Sequence, residues 1–146
     1  MLKIFTMHTD PNCIFCRIVS GEIPSYKIDE DEKFLAILDI AQFVDGHTLV
    51  IPKEHFEFVW DVPNVEQYYK FISSLGNHFR NLGFKYVDTL TLGRMVRHAH
   101  VYLLPHNDDN ETWTKVQKEI DMIQLDESRK LPPKKMEEIC SMFKKF

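Results

Sequence analysis

The sequence predicts an α+β domain, with five antiparallel strands, one central helix and C-terminal helices. Three observations predict it. Short runs rich in β-branched and aromatic residues recur between turn formers. One long series, Val65, Tyr68, Tyr69, Ile72, Leu75, Phe79 and Leu82, has helical spacing. Two of the connections, Glu30-Asp31-Glu32-Lys33 and the one at Gly93, are short enough for antiparallel neighbours.

Taken in order, residues 1–11 read as a loose arm. Ile14–Val19 makes a helical turn or more, stopped by Ser20-Gly21 and Pro24. Ser25–Asp29 and Phe34–Leu38 pair as a hairpin. His47–Ile51 is the third strand, closed by Pro52. The central helix starts at Asn64, which forms a capping box with Gln67, and Gly83 stops it. Phe84–Leu92 and Val96–Leu104 are the last two strands. Trp113, Val116, Ile120 and Ile123 make an amphipathic helix. Pro132-Pro133 separates it from a final helix carrying Met136, Ile139, Cys140 and Phe143. The expected organisation is one domain over 1–146, with 111–146 as a helical extension.

The chain's 146 residues, 44% of them hydrophobic and 27% charged, suit a globular domain with a core of its own. A net charge of −4 argues against broad nucleic-acid binding, which needs a basic surface. No apolar run reaches membrane length, so the expected compartment is the cytoplasm. Three cysteines cannot all pair, which argues against a disulfide framework.

Two stretches carry chemistry. In Val96-Arg97-His98-Ala99-His100-Val101-Tyr102-Leu103-Leu104, strand alternation puts His98, His100 and Tyr102 on one face, each roughly 7 Å from the next. Ala99, Val101 and Leu103 form the apolar opposite face. Imidazole can be nucleophile, base or metal ligand near neutral pH; a merely exposed polar strand face is the plainer account. The second stretch is Cys13-Ile14-Phe15-Cys16. A Cys-x-x-Cys pair is half a zinc site, a redox dithiol or two unpaired thiols. Nothing before Cys13 reads as the strand a redox unit needs, and spacing alone does not choose zinc partners.

Five blocks occur in order: Cys13-x-x-Cys16-x-Ile18, Glu22-Ile23-Pro24, Phe34 to Ile40, Gly46 to Lys53 followed by His55, and His98-Ala99-His100-Val101-Tyr102. Together they resemble the histidine triad family of nucleotide hydrolases and transferases, in its zinc-bearing Cys-x-x-Cys branch. The resemblance runs from about Asn12 to Pro105. It implies a five-stranded antiparallel fold, a nucleotide substrate and a homodimer, for which the aromatic helix (Tyr68, Tyr69, Phe71) offers surface. It implies that His100 attacks the α-phosphorus to form a nucleotidyl-histidine. It implies a closed structural zinc site of Cys13, Cys16, His55 and His98. Asp39 then accepts the ribose hydroxyls, Phe15, Ile18, Leu38 and Ile40 wall the base, and His47 supports the site.

The chain departs from the family pattern in two places. The third triad histidine is Tyr102. The phosphate loop is shortened to Leu92-Gly93-Arg94-Met95-Val96, with Arg94 and Met95 where the family has Gln and Ser. Arg94 can hold a phosphate bidentately, whereas Met95 offers no hydrogen-bond donor. The expectation is an enzyme with an altered leaving-group site. The rival is a nucleotide-binding or scaffold protein with a degraded phosphate loop.

Overall fold

The computed structural model of the chain describes residues 7–146. They form two compact units, one ending at Asn110 and one starting at Glu111. In the first unit, strands β1 (Lys27–Glu30), β2 (Phe34–Leu38), β3 (Thr48–Pro52), β4 (Tyr86–Leu90) and β5 (Val101–His106) make one sheet in the order β1-β2-β3-β5-β4. Every pairing in it is antiparallel. With helices α1 (Ile14–Val19) and α2 (Val65–Asn81), this is the predicted α+β architecture.

Both faces of the sheet are covered, which explains why β2 and β3 read as unbroken apolar runs. Phe34, Ala36, Val50, Val101 and Leu103 pack with Tyr68, Ile72, Leu75 and Phe79 of α2. The alternate residues Leu35, Ile37, Leu49 and Ile51 pack with Cys13, Phe15 and Cys16 around α1. Each such Leu or Ile contributes about 1.5–3 kcal/mol on full burial. The central helix therefore clamps one face, and the other is left to carry the site. Tyr68 is wholly buried, with its hydroxyl donating to the Val50 carbonyl, and Phe71 packs on the same core. Of the three rings expected to offer interface surface, Tyr69 is the exposed one.

Several boundaries differ from the sequence reading. The turn of the first hairpin is tighter, because the Asp31 carboxylate takes the backbone N–H groups of Lys33 and Phe34, each at 2.8 Å. The capping box at Asn64 does not form; the Asn64 side chain caps nothing, and Gln67 instead accepts from Lys33 Nζ at 2.9 Å. Gly83 does end the helix, with φ of 102°. The final strand begins at Val101 rather than Val96. Ahead of it, the Ala99 N–H donates to the Phe56 carbonyl at 2.6 Å, so this segment leaves the ladder and crosses the chain that follows β3.

The second unit holds α3 (Glu111–Gln124) and α4 (Pro133–Phe143). Pro133 occupies the first turn of α4, where its missing N–H costs nothing. On α3 Trp113 is buried, whereas Val116, Ile120 and Ile123 are exposed, as is Phe143 of α4. No helix among the described residues is long and apolar enough to cross a membrane.

Candidate functional site

Of the expected loose arm, residues 1–6 lie outside the described residues. Its later part is tied down. The His55 N–H donates to the His8 carbonyl at 2.8 Å, and the Cys13 N–H to the Asp10 carbonyl at 3.0 Å. These bonds bring the turn before α1 against the loop after β3. Cys13 and Cys16, three residues apart across the start of α1, then face His55 and His98.

The four residues converge so that one ligand atom from each lies within 4.8 Å of the other three. Cys13 Sγ is 3.4 Å from His98 Nδ1, Cys16 Sγ 3.5 Å from the same atom, and Cys16 Sγ 3.3 Å from His55 Nδ1. A tetrahedron with metal bonds of about 2.0–2.3 Å has edges of roughly 3.3–3.8 Å. Soft thiolates with imidazoles, at those spacings, fit zinc. The far side of the ring also fits: His98 Nε2–H donates to the Pro52 carbonyl at 2.7 Å, which fixes the tautomer and turns Nδ1 toward the sulfurs. Burial pushes the His98 pKa down to about 4, aided by His55 and His100 and opposed by the Pro52 carbonyl. Burial also raises the Cys16 thiol, against a hydrogen bond from the Asp10 N–H at 3.4 Å. Cys140 is exposed and takes no part.

His100 sits two residues on, 6% exposed. Its Nδ1–H donates to the His98 carbonyl at 2.6 Å, which leaves Nε2 with a free lone pair. The His100 carbonyl is held in turn by the Thr91 hydroxyl at 2.7 Å. Phe15 packs edge-on against both histidines, with centroids 5.8 Å from His98 and 5.3 Å from His100. Tyr102 continues the row, 5.5 Å from the His100 ring. The three side chains thus share a face although only Tyr102 lies in β5.

Beyond Tyr102 the row reaches the loop 39–47. His47 is 1% exposed and meets the Tyr102 ring at 4.5 Å. Phe43 covers His47 at 4.8 Å and Tyr102 at 5.8 Å. Asp39 is half-buried; its Oδ1 accepts the Ala41 N–H at 2.7 Å, and its Oδ2 stands 4.0 Å from His47 Nε2. Burial lowers the His47 pKa against the pull of Asp39. Burial raises that of Tyr102, and Asp39 adds to it, so the phenol stays protonated at neutral pH.

The remaining candidates spread out. Ile18 and Leu38 are half-buried, with Ile18 against the α1 side of the sheet. Ile40, next to Asp39 in the chain, stands 92% exposed. Arg94 is exposed on the shortened loop, and Met95 beside it is 99% exposed. Gly93 turns that loop with φ of 63°, and a Cβ there would meet the Phe58 ring at 3.2 Å. A cleft of about 80 Å³ lies between Phe58, Trp60, Thr91, Leu92 and the backbone segment of Ala99 and His100. Sequence reasoning missed Phe43, Phe58, Trp60 and Thr91. Thr91 lies hidden inside the expected strand Phe84–Leu92, Phe43 stands alone in a connection, and the alternation of Phe56, Phe58 and Trp60 is the one signal that could have marked the place.

A HIT domain family model matches residues 20–109. The chain belongs to the histidine triad family. It is 41% identical over 108 residues to "Protein hit" of Bacillus subtilis, a span of 68% of this chain and 74% of that one. A zinc-bound histidine triad protein of Mycobacterium smegmatis has a matching structure, with a TM-score of 0.59 and 33% identity over 69% of this chain and 79% of that one. An adenosine 5′-monophosphoramidase of Candida albicans is 41% identical over 58 residues, 40% of this chain and 38% of that one. The family is one of nucleotide-binding hydrolases and transferases. Cys13 and Cys16 precede the matched domain, so the cluster of two cysteines and two histidines joins that domain to the segment before it.

Proposed function

We propose that the protein cleaves a nucleoside phosphate derivative at its α-phosphate through a nucleotidyl-histidine on His100. The carrying observation is the His100 ring, whose Nδ1–H is committed to the His98 carbonyl so that Nε2 is a neutral nucleophile. In the first step the Nε2 lone pair forms an N–P bond, and the leaving group departs with the electrons of its bond to phosphorus. In the second, water or another acceptor attacks phosphorus, the N–P bond breaks, and the imidazole is restored. Asp39 offers its carboxylate to the vicinal hydroxyls of ribose. Phe15, Ile18, Leu38 and Ile40 line the base, and His47 supports this side. Arg94 pairs with phosphate oxygens, and the Tyr102 phenol donates toward the leaving group. The likeness to an adenosine 5′-monophosphoramidase supports phosphoramidates within the substrate class.

Cys13, Cys16, His55 and His98 would hold a structural zinc, closed to substrate, whose two thiolates balance its charge. Its contribution is to fix α1 and Phe15 beside His100. The same reading makes the protein a homodimer of the cytoplasm, where thiols stay reduced; sedimentation at micromolar concentration as a monomer would remove the dimer. One observation favours a second reading, a nucleotide-binding protein without turnover: Met95, exposed and unable to donate, stands in the phosphate loop. Mass spectrometry after incubation with adenylated and guanylated compounds separates the two. A nucleotide mass on His100 supports catalysis, and tight binding with no adduct or product supports the second reading.

A further inference from the structure

Among the described residues, one buried side-chain polar atom has no hydrogen-bond partner, His47 Nε2. An unsatisfied buried donor or acceptor is costly, so one that is kept calls for a partner in another state. Its tautomer follows from its neighbours. His47 Nδ1 accepts the Phe43 N–H at 3.4 Å, which leaves the proton on Nε2. That N–H is buried in the protein, and the Phe43 and Tyr102 rings pack on the same imidazole, so no bound ligand reaches it. Its partner must come from the protein. The Ala41 carbonyl is near enough to raise the His47 pKa, yet it makes no hydrogen bond to Nε2 by distance and angle. The charged candidate is Asp39 Oδ2, at 4.0 Å. A charge-assisted N–H···O bond is about 2.7–2.9 Å long, so a carboxylate shift of roughly 1 Å closes the gap.

The loop is built for a small movement of this kind. Gln42 closes it, accepting the Gly46 N–H at 2.8 Å and the His47 N–H at 3.0 Å and donating to the carbonyls of Asp39 and His47. The Asp39 N–H is bonded to the His47 carbonyl at 3.0 Å. The two backbones are thus fixed to each other and Asp39 Oδ1 is held by the Ala41 N–H at 2.7 Å, so the freedom left is a rotation of the carboxylate that moves Oδ2.

We propose that His47 is a positioning residue for ribose recognition: when a ribonucleotide engages Asp39, His47 Nε2–H captures Oδ2 and locks the carboxylate against the vicinal diol. This rests on the nucleotide reading of the site. His47 does not touch the ligand. It acts by removing the freedom of the group that does, which is the usual way a supporting hydrogen bond sharpens a site.

The test is the ratio of affinities for ribo- and 2′-deoxyribonucleotides, measured by calorimetry with AMP, GMP and their 2′-deoxy forms on the whole chain. The wild type favours the ribonucleotide by about tenfold, the worth of one good hydrogen bond to a charged group. Asp39→Asn collapses that preference. His47→Leu collapses it as well, to within about twofold, whereas His47→Gln, which keeps an N–H near Nε2, retains most of it. A merely structural role for His47 weakens both ligands equally and leaves the ratio, which overturns the proposal. If Asp39→Asn also leaves the ratio, the ribose reading falls and takes the proposal with it. Should His47→Leu not fold, the wild type still decides. On adding AMP, the His47 Nε2 proton moves strongly downfield in nitrogen-resolved NMR, and a signal that stays in place overturns the proposal.

Discussion

His98 and His100 stand two residues apart on one face, both buried, both with a ring nitrogen bonded to a backbone carbonyl. The nitrogens are opposite ones. In His98 the carbonyl of Pro52 takes Nε2–H, and Nδ1 is turned to the thiols of Cys13 and Cys16. In His100 the carbonyl of His98 takes Nδ1–H, and Nε2 is left over. The same side chain on the same face offers a nitrogen to two thiols in one place and keeps an unshared lone pair in the other. What differs is the carbonyl it meets, one from β3 across the sheet and one from its own chain two residues back. A tautomer is a structural decision, and here the backbone makes it twice.

The largest effect separates the two roles. His100→Ala should lower turnover on the order of 10⁴-fold or more and abolish the covalent adduct, since the nucleophile itself is gone. Its melting temperature and metal content should stay close to wild type, because His100 is not among the four residues that converge on the candidate zinc site. Retained turnover would end the mechanism, and lost metal would show that the two histidines are one unit.

The converse change comes next. Cys16→Ser should release the metal and cost about 3 kcal/mol or more, which lowers the melting temperature by roughly 10 °C in a unit of this size. Turnover should fall only as far as Phe15 loses its packing on His100. Protein purified without chelator and free of zinc, or an unchanged melting temperature, would refute the site.

Much of this contrast was legible in the sequence. Strand alternation put His98, His100 and Tyr102 on one face, because that rule needs only neighbours. It held although β5 begins at Val101. The start of β5 was hidden because Ala99 is held by Phe56, far away in the chain. The Asn64–Gln67 box failed for the same reason, since Lys33 takes the glutamine. The convergence of Cys13 and Cys16 on His55 and His98 spans separations of 39 to 85 residues. No local pattern states such a contact; the family resemblance did. Phe43, packed on His47 and Tyr102, was invisible in both ways.

Tyr102 sharpens the comparison from the other side, as the third member of the row. A phenol of ordinary pKa near 10 is a weak acid beside imidazolium near 6.5, and burial weakens it further. It can donate a hydrogen bond to a leaving group but transfers its proton poorly. Tyr102→His should therefore raise rates about tenfold on leaving groups that need a proton, and change little for those that depart as stable anions. Tyr102→Phe should lower rates by a few-fold on every substrate, about the worth of one hydrogen bond. If Phe performs like Tyr across a leaving-group series, the ring only packs against His47 and Phe43.

The smallest effect is on the pH dependence of stability, and it tests whether His47 is held neutral. Burial depresses the pKa of His47 in the folded chain, with Asp39 opposing the shift at 4.0 Å. In the unfolded chain the imidazole returns to about 6.5. Below that pH the unfolded chain takes up a proton that the folded chain refuses. The contribution of His47 is therefore complete above about pH 6.5 and is lost as pH falls through the folded value. His47→Gln does not titrate, so it should lose less stability than the wild type between about pH 7.5 and 5.5. The comparison is a difference between two proteins, so acid effects on the metal ligands cancel as long as both keep their metal. Urea titrations across that range, with metal content assayed at each pH, provide the measurement. Parallel curves would mean that Asp39 already compensates the buried imidazole in full. The 4.0 Å gap would then be bridged in solution before any nucleotide arrives.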